Sequence, residues 1–289
     1  LEENPVNLKG SRTEKNLELA IAEESKAQNA YLFYAEAANR ANLPLVADVF
    51  LDIAQNEEEH ARAQFGFLGK IRGTRENLED AVHKERYERT SFYPESAQTA
   101  REEGFPEIAG HFERLSKFEH KHENIFNKLL KYLENQTPIT ERTSGHSAIT
   151  LAQVMLPHQA NRAGNVHGGE VMKMMDSAAG VAASRHAHSN VVTAKVEDIN
   201  FLKPVKVGNL VFAHARLVFV SRTSMEIRVE VETEDRFTEE REKALTATFI
   251  FVALDPSGKP MEVPSLLITT EEGQRLFEEG RMRYESRKK

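Results

Sequence analysis

The stretch VMLPHQANRAGNVHGGEVMKMMDSAAG, residues 154–180, runs a loop rich in Gly and Asn directly into a helix of small residues. The helical run GGEVMKMMDSAAGVAASRHA, 168–187, is followed by four β-branched, largely alternating segments: VVTAKVEDINFL (191–202), LVFAHARLVFV (210–220), SMEIRVEVETE (224–234) and ALTATFIFVAL (244–254). Alternation of that kind reads as strands half-buried in a sheet. A polar helix from about Glu271 closes the chain, so this half is α+β.

The loop also carries chemistry. Gly168 and Gly169 start the helix, where unpaired backbone N–H groups at the positive end of the dipole can polarise a carbonyl laid against them. Asp176 lies two turns along, among Met174, Met175, Ala178 and Ala179, which predicts partial burial. Such an acid suits a general base toward water or a direct nucleophile toward a carbonyl. On its own the pattern is modest, because loops of this composition often only turn the chain. His167 reads as loop scaffold, and His186 and His188 as imidazolium groups favoured by the dipole at the helix end.

Upstream, NQTPITERTSG (135–145) is polar and without period, as a linker is. Before it, apolar residues recur at spacings of three and four from Ser11 to about Glu134, with breaks near Leu43-Pro44, Gly73-Thr74 and Gly104-Phe105-Pro106. Four helices are predicted. The division is therefore a helical domain over 1–137, a linker over 138–147 and the α+β domain over 148–289.

The helical stripes hold charged residues where apolar ones belong. The first reads Leu17, Ile21, Glu24, Gln28, Tyr31, Ala35, and the second Val46, Phe50, Ile53, Glu57, His60, Gln64, Phe67. The third reads Leu78, Val82, Glu85, Glu88, Phe92, and the fourth Ile108, Phe112, Leu115, Glu119, His122, Phe126, Leu129, Leu133. Burying an unpaired carboxylate costs several kcal/mol, so acids on inward stripes call for cations. Glu57-x-x-His60 and Glu119-x-x-His122 each place a carboxylate and an imidazole one turn apart. With Glu24 and Glu85 they complete a known di-metal pattern for helical bundles. Tyr31, on the Glu24 stripe, fits a hydrogen-bond donor to a ligand or a plain core tyrosine.

Composition bounds both readings. Through Thr137 there are 18 Lys and Arg against 25 Asp and Glu, and 20 against 20 afterwards, so the net charge of −7 sits in the helical half. That disfavours nucleic acid and suits cation storage. The chain has no cysteine, which excludes disulfides, thiolate metal sites and a Cys nucleophile, and any metal must use His and carboxylate. No apolar run approaches a membrane span. No basic, apolar leader opens the sequence, and the expected compartment is the cytoplasm.

Four segments, LKGSRTEKN (8–16), AEESKAQNAY (22–31), NEEEHA (56–61) and AREEGFPEIA (100–109), give residues 8–134 a resemblance to rubrerythrin. The resemblance implies a ferritin-like four-helix bundle holding a di-iron centre, two Fe, that reduces hydrogen peroxide. It carries over the ligands Glu24, Glu57, His60, Glu85, Glu88, Glu119 and His122. Rubrerythrins of the original type end in a four-Cys rubredoxin module that delivers electrons. A cysteine-free chain needs an external electron donor for turnover, and iron oxidation, iron storage or a structural metal stay open.

Residues 150–254 resemble the acyl-CoA thioesterases of the hotdog superfamily, through MLPHQANRAGNVHGG (155–169), the long run 185–211, SMEIRVEV (224–231) and FIFVALDPSGKP (249–260). The resemblance implies a long helix wrapped by a curved antiparallel sheet, and two modules that bring an Asn from one and an Asp from the other to a shared thioester. The matching residues are Asn161 and Asp176, both in this one module, so a homodimer would build two sites, and a trimer of dimers or pairing of bundles would enlarge it. Lys203, Ser221, Arg222, Thr223 and Ser224 are candidates for the CoA phosphates or a solvated turn. The function implied is hydrolysis of acyl-CoA beside a peroxide-reducing di-iron domain. The alternative is a di-iron protein whose hotdog half is a non-catalytic CoA-ester sensor or assembly module.

Overall fold

The structure, a computed structural model, describes residues 8–136 and 140–288. The part of the expected linker at 138–139 lies outside the described residues. The chain forms two compact units, Leu1–Asp80 and Ala81–Lys289.

The first unit is a helical hairpin, α1 (Arg12–Arg40) and α2 (Pro44–Phe67). Ser11 caps α1 by accepting from Glu14 N at 3.0 Å, and Pro44 starts α2 where its missing N–H costs nothing. The helices approach through Ala35, Ala38 and Ala47, with Phe50 beside them. Tyr31 stacks on Phe50 with ring centroids 6.0 Å apart. Two helices can bury only one side of each other. Stripe residues expected to face inward, Val46, Ile53 and Phe67, are accordingly exposed, Phe67 at 70%.

The second unit opens within α3 (Thr74–Tyr87), which passes through a π-helical turn, Glu88–Phe92, into α4 (Tyr93–Glu102). The predicted third helix is thus one rod with an inserted π turn, the carbonyl of Arg89 accepting from Ser116 Oγ at 3.0 Å. α5 (Pro106–Asn135) packs on α4, with Tyr93 stacked on Phe112. Phe92, Ile108 and Leu133, also expected inside, are exposed. The compact units do not follow the division expected at 137–148, because α5 shares contacts with the C-terminal half. His122 Nε2 lies 3.0 Å from the carbonyl of Thr269, and Lys128 Nζ 2.5 Å from Glu141.

The expected linker is also structured from Arg142 onward. β1 (Arg142–Thr143) pairs in parallel with β7 (Leu266–Leu267), α6 (Ser144–Ser147) follows, and Arg142 donates to the carbonyls of Arg185 and His186. Beyond it come β2 (Ile149–Val154), α7 (Gly168–Ala187), β3 (Asn190–Phe201), β4 (Leu210–Val220), β5 (Ser224–Glu234) and β6 (Arg241–Leu254). Five strands form an antiparallel sheet in the order β2-β4-β5-β6-β3.

Alternation along the strands decides what each face covers. Val211, Ala213, Ala215 and Leu217 of β4, with Ile227, Val229 and Val231 of β5, form one core with Val171, Met175, Ala178, Ala179 and Ala182 of α7. The small side chains let helix and sheet approach closely. On the other face lies α8 (Glu271–Arg287), where Phe219 meets Phe277 and Tyr284. Glu226, only 1% exposed, is held there by Arg283 at 2.8 Å and Arg287 at 3.1 Å. β3 forms a sheet edge with Val192, Ile199 and Phe201 exposed.

Candidate functional site

Among the described residues each unit carries one triad of carboxylates and imidazole whose ligand atoms lie within 4.8 Å of one another: Glu24, Glu57 and His60 in the first, Glu85, Glu119 and His122 in the second. The i, i+3 spacing does the local work, setting His60 Nδ1 2.9 Å from Glu57 and His122 Nδ1 2.7 Å from Glu119. Of the expected inward acids only Glu119 is buried, and His60 is exposed. Glu88 stands outside both triads, as the first residue of the π turn.

The second triad is electrostatically crowded. Burial, then the hydrogen bond and negative charge of Glu119, push the Glu85 carboxyl up to about 7. Burial and the charge of Glu119 likewise raise Glu88. Burial opposes the proton on His122, but the Thr269 carbonyl, Glu119 and Glu85 outweigh it and raise its pKa. Glu85 Oε2 is buried without a hydrogen-bond partner, 3.3 Å from His122 Nδ1 but outside hydrogen-bond geometry. A buried oxygen left unmatched among hard O and N donors fits a cation such as iron. Nearby Glu123 is different: the Arg86 hydrogen bond, then Arg89, outweigh its burial and hold its carboxyl below the usual range. Sequence periodicity missed it.

In the α+β half, the start of α7 borders a cavity of about 320 Å³ lined by Asn161, Gly168, Phe201, Lys203 and Leu245 among others. A Cβ on Gly168 would stand 2.9 Å from the Phe201 ring, so only glycine permits this approach. The expectation for Gly169 is corrected, because its N–H donates to His167 Nδ1 at 3.0 Å and is not free for a ligand. His167 is therefore the N-cap of α7.

Asn161 is held by its own loop. Its Oδ1 accepts from the N–H groups of Ala163 at 2.9 Å and Asn165 at 3.2 Å, which leaves its amide N–H end as the donor for a ligand. Asp176 is half-buried and accepts from Thr193 Oγ1 at 2.7 Å. Thr193, on β3, was missed in the sequence because its partner is reached only through the fold. Asp176 does not line the Asn161 cavity; eight residues of helix separate it from Gly168, about 12 Å of rise.

Lys203 lines the cavity and pairs with Glu242. Ser221, Arg222, Thr223 and Ser224 instead form the β4–β5 turn, where Ser221 Oγ meets Ser224 Oγ at 2.7 Å and Arg222 pairs with Glu262. The five residues are not brought to one cavity. His186 is fully buried, and burial lowers its pKa, correcting its expected charge at the helix end. His188 takes the left-handed cap, φ 51°, with its ring stacked near His146.

Comparison with known proteins follows this two-part layout. Residues 15–130 and, in a second match, 76–156 match the rubrerythrin family, and residues 163–239 the thioesterase superfamily. The chain is 40% identical over 150 residues to a rubrerythrin of Porphyromonas gingivalis, covering 47% of this chain and 74% of that protein. It is 40% identical over 144 residues to the cytosolic acyl coenzyme A thioester hydrolase of Mus musculus, covering 49% of this chain and 38% of that protein. It spans less than half the length of this mouse relative and of the rat one. The crystal structure of an apo-hexameric acyl-CoA thioesterase aligns with a TM-score of 0.50 at 34% identity, covering 51% of this chain and 95% of that one.

Proposed function

Because the chain belongs to the rubrerythrin family through its N-terminal half and to the acyl-CoA thioesterases through its C-terminal half, we propose that it hydrolyses acyl-CoA thioesters beside a di-iron centre. The observation that supports the first activity is that α7 carries both a start, Gly168, that lines a cavity with Asn161 and, two turns on, an acid, Asp176, held by Thr193. The Gly168 N–H and the Asn161 amide receive the thioester carbonyl oxygen as negative charge develops on it. Asp176 takes a proton from water, or attacks the carbonyl carbon itself with water completing the hydrolysis. In both routes the C–S bond breaks and the products are the free acid and CoA.

Asn161 and Asp176 serve one thioester when they come from two chains, so the active form is a homo-oligomer. The exposed apolar edge of β3 supports pairing of modules there. Higher assembly as a trimer of dimers, and pairing of the helical halves, belong to the same proposal. Lys203 and residues 221–224 are the proposed contacts to the nucleotide.

In the helical half the proposed ligands of two irons are Glu24, Glu57, His60, Glu85, Glu88, Glu119 and His122, supported by the two triads and the unmatched oxygen of Glu85. When bound there, iron would supply the electrons for reducing peroxide to water, and an external donor would have to restore them. The protein's own groups hold the metals with oxygen and imidazole donors that resist oxidation. No helix among the described residues is long and apolar enough to cross a membrane, and the proposed place of action is the cytoplasm.

Thiol release from acyl-CoAs of graded chain length tests the hydrolase. Intact protein should release CoA, and Asp176→Ala and Asn161→Ala should each abolish most of it. No release from any ester would favour the alternative, a CoA-ester sensor or assembly module joined to an iron protein. Undiminished release by Asp176→Ala would remove the site assignment.

A further inference from the structure

We infer that the backbone carbonyl of Thr269 orients His122 as a metal ligand, so that metal held by Glu85, Glu119 and His122 is energetically linked to the start of α8 in the thioesterase half. The inference rests on the metal reading above and goes beyond it by joining the two halves.

The imidazole of His122 has two distinct ends. Nδ1 faces the acids, 2.7 Å from Glu119 and 3.3 Å from Glu85, while Nε2 lies 3.0 Å from the oxygen of Thr269. A carbonyl can only accept, so Nε2 carries the hydrogen in that bond. Nδ1 is thereby the ring atom directed at the carboxylates and at a cation among them. Donation from the far ring nitrogen to a carbonyl is the way metal-binding imidazoles are held in tautomer and orientation.

Thr269 can serve because the chain around it is pinned on both sides. Leu266 and Leu267 pair with Arg142 and Thr143, and Thr270 caps α8 by accepting from Gly273 N at 3.0 Å. The far end of α8 is fixed by Arg283 and Arg287 on buried Glu226. Lys121 Nζ, beside His122 on α5, also lies 3.5 Å from Gln274 Oε1 in the first turn of α8. The carbonyl that aims His122 therefore belongs to a segment whose position is set by the sheet. Linkage is reciprocal: if this segment aims the ligand, bound metal must steady the segment.

The test weakens that carbonyl without altering any side chain. Replacing Thr270 by its α-hydroxy acid, through suppression of a stop codon, turns the 269–270 amide into an ester, a poorer acceptor. The metal-free full-length protein and this variant are titrated with Co(II) and followed by visible absorption. The variant should bind on the order of tenfold more weakly, with a shifted Co(II) spectrum and an unchanged far-ultraviolet circular dichroism. Co(II) should also slow hydrogen exchange at the amides of Gly273 and Gln274 in the parent protein. Affinity and spectrum matching the parent, with no slowing on α8, would overturn the linkage and leave the metal site standing. A parent protein that takes up no Co(II) would remove both.

Discussion

Thr193 Oγ1 donates a 2.7 Å hydrogen bond to Asp176 Oδ1, joining the sheet-edge strand β3 to the middle of α7. One carboxylate oxygen is thus fixed by the strand. A hydrogen bond to a charged group contributes about 1.5–3 kcal/mol, so Thr193→Val should lower kcat/KM for acyl-CoA by about 10- to 100-fold. Thr193→Ser should recover most of the loss. Steady-state thiol release decides it, and a valine variant with parental kcat/KM would show that Asp176 needs no such partner.

Gly168 offers a steric test of the same pocket. A methyl there meets the Phe201 ring at 2.9 Å, inside normal contact, so Gly168→Ala must displace the ring or the helix start. Because Phe201 is exposed and at a strand end, the ring is the part that yields. The expected result is folded protein with a raised KM and a reduced kcat, partly relieved when Phe201→Leu is added. An additive double variant, with no relief, would place the fault in the helix start.

Much of this was legible in the sequence. The helix at 168–187 was readable at both ends, because Gly-Gly opens it and the run of small residues closes before the β-branched segment that becomes β3. β2 was missed because ITLAQV is short and lies just before a Pro-containing turn, and its identity depends on pairing with β4. The spacing of Glu119 and His122 was visible as one helical turn. Thr193 and Thr269 were not visible as partners, since each acts through a contact that only tertiary structure makes, and Thr269 acts through its backbone. The stripe of Val46, Ile53 and Phe67 shows the opposite limit: its period was correct, but period does not say what covers a face.

The buried acid of the second triad is the sharpest handle on the metal reading. Glu119 is 8% exposed and contacts both other members of its triad, so Glu119→Gln removes a charge that a cation needs while keeping the shape. Protein produced with iron supplied should carry about two irons per chain by the ligand count, and the variant distinctly fewer. Without metal the same variant should be at least as stable as the parent, because one of the crowded carboxylates has become neutral. Elemental analysis with thermal melting, each with and without metal, reads both effects. Equal iron in parent and variant would exclude Glu119 as a ligand.

His186 should give the fold a measurable dependence on pH. Its Nε2 donates to the carbonyl of Pro264 at 2.9 Å, while Nδ1 is buried without a partner. Burial, first, and the positive charge of Arg142 hold its pKa below the ordinary imidazole value, although the Pro264 bond pulls the other way. The folded state thus keeps it neutral, whereas the unfolded chain takes up a proton below about 6.5. Stability is therefore level above that value and falls as the pH drops beneath it, at up to about 1.4 kcal/mol per pH unit for one proton. His186→Gln keeps a donor for Pro264 but does not titrate. Chemical denaturation at about pH 7.5 and about pH 5.5 should show a steeper loss in the parent than in the variant. Equal losses in the two proteins would mean that His186 binds its proton in the folded state as readily as in the unfolded chain.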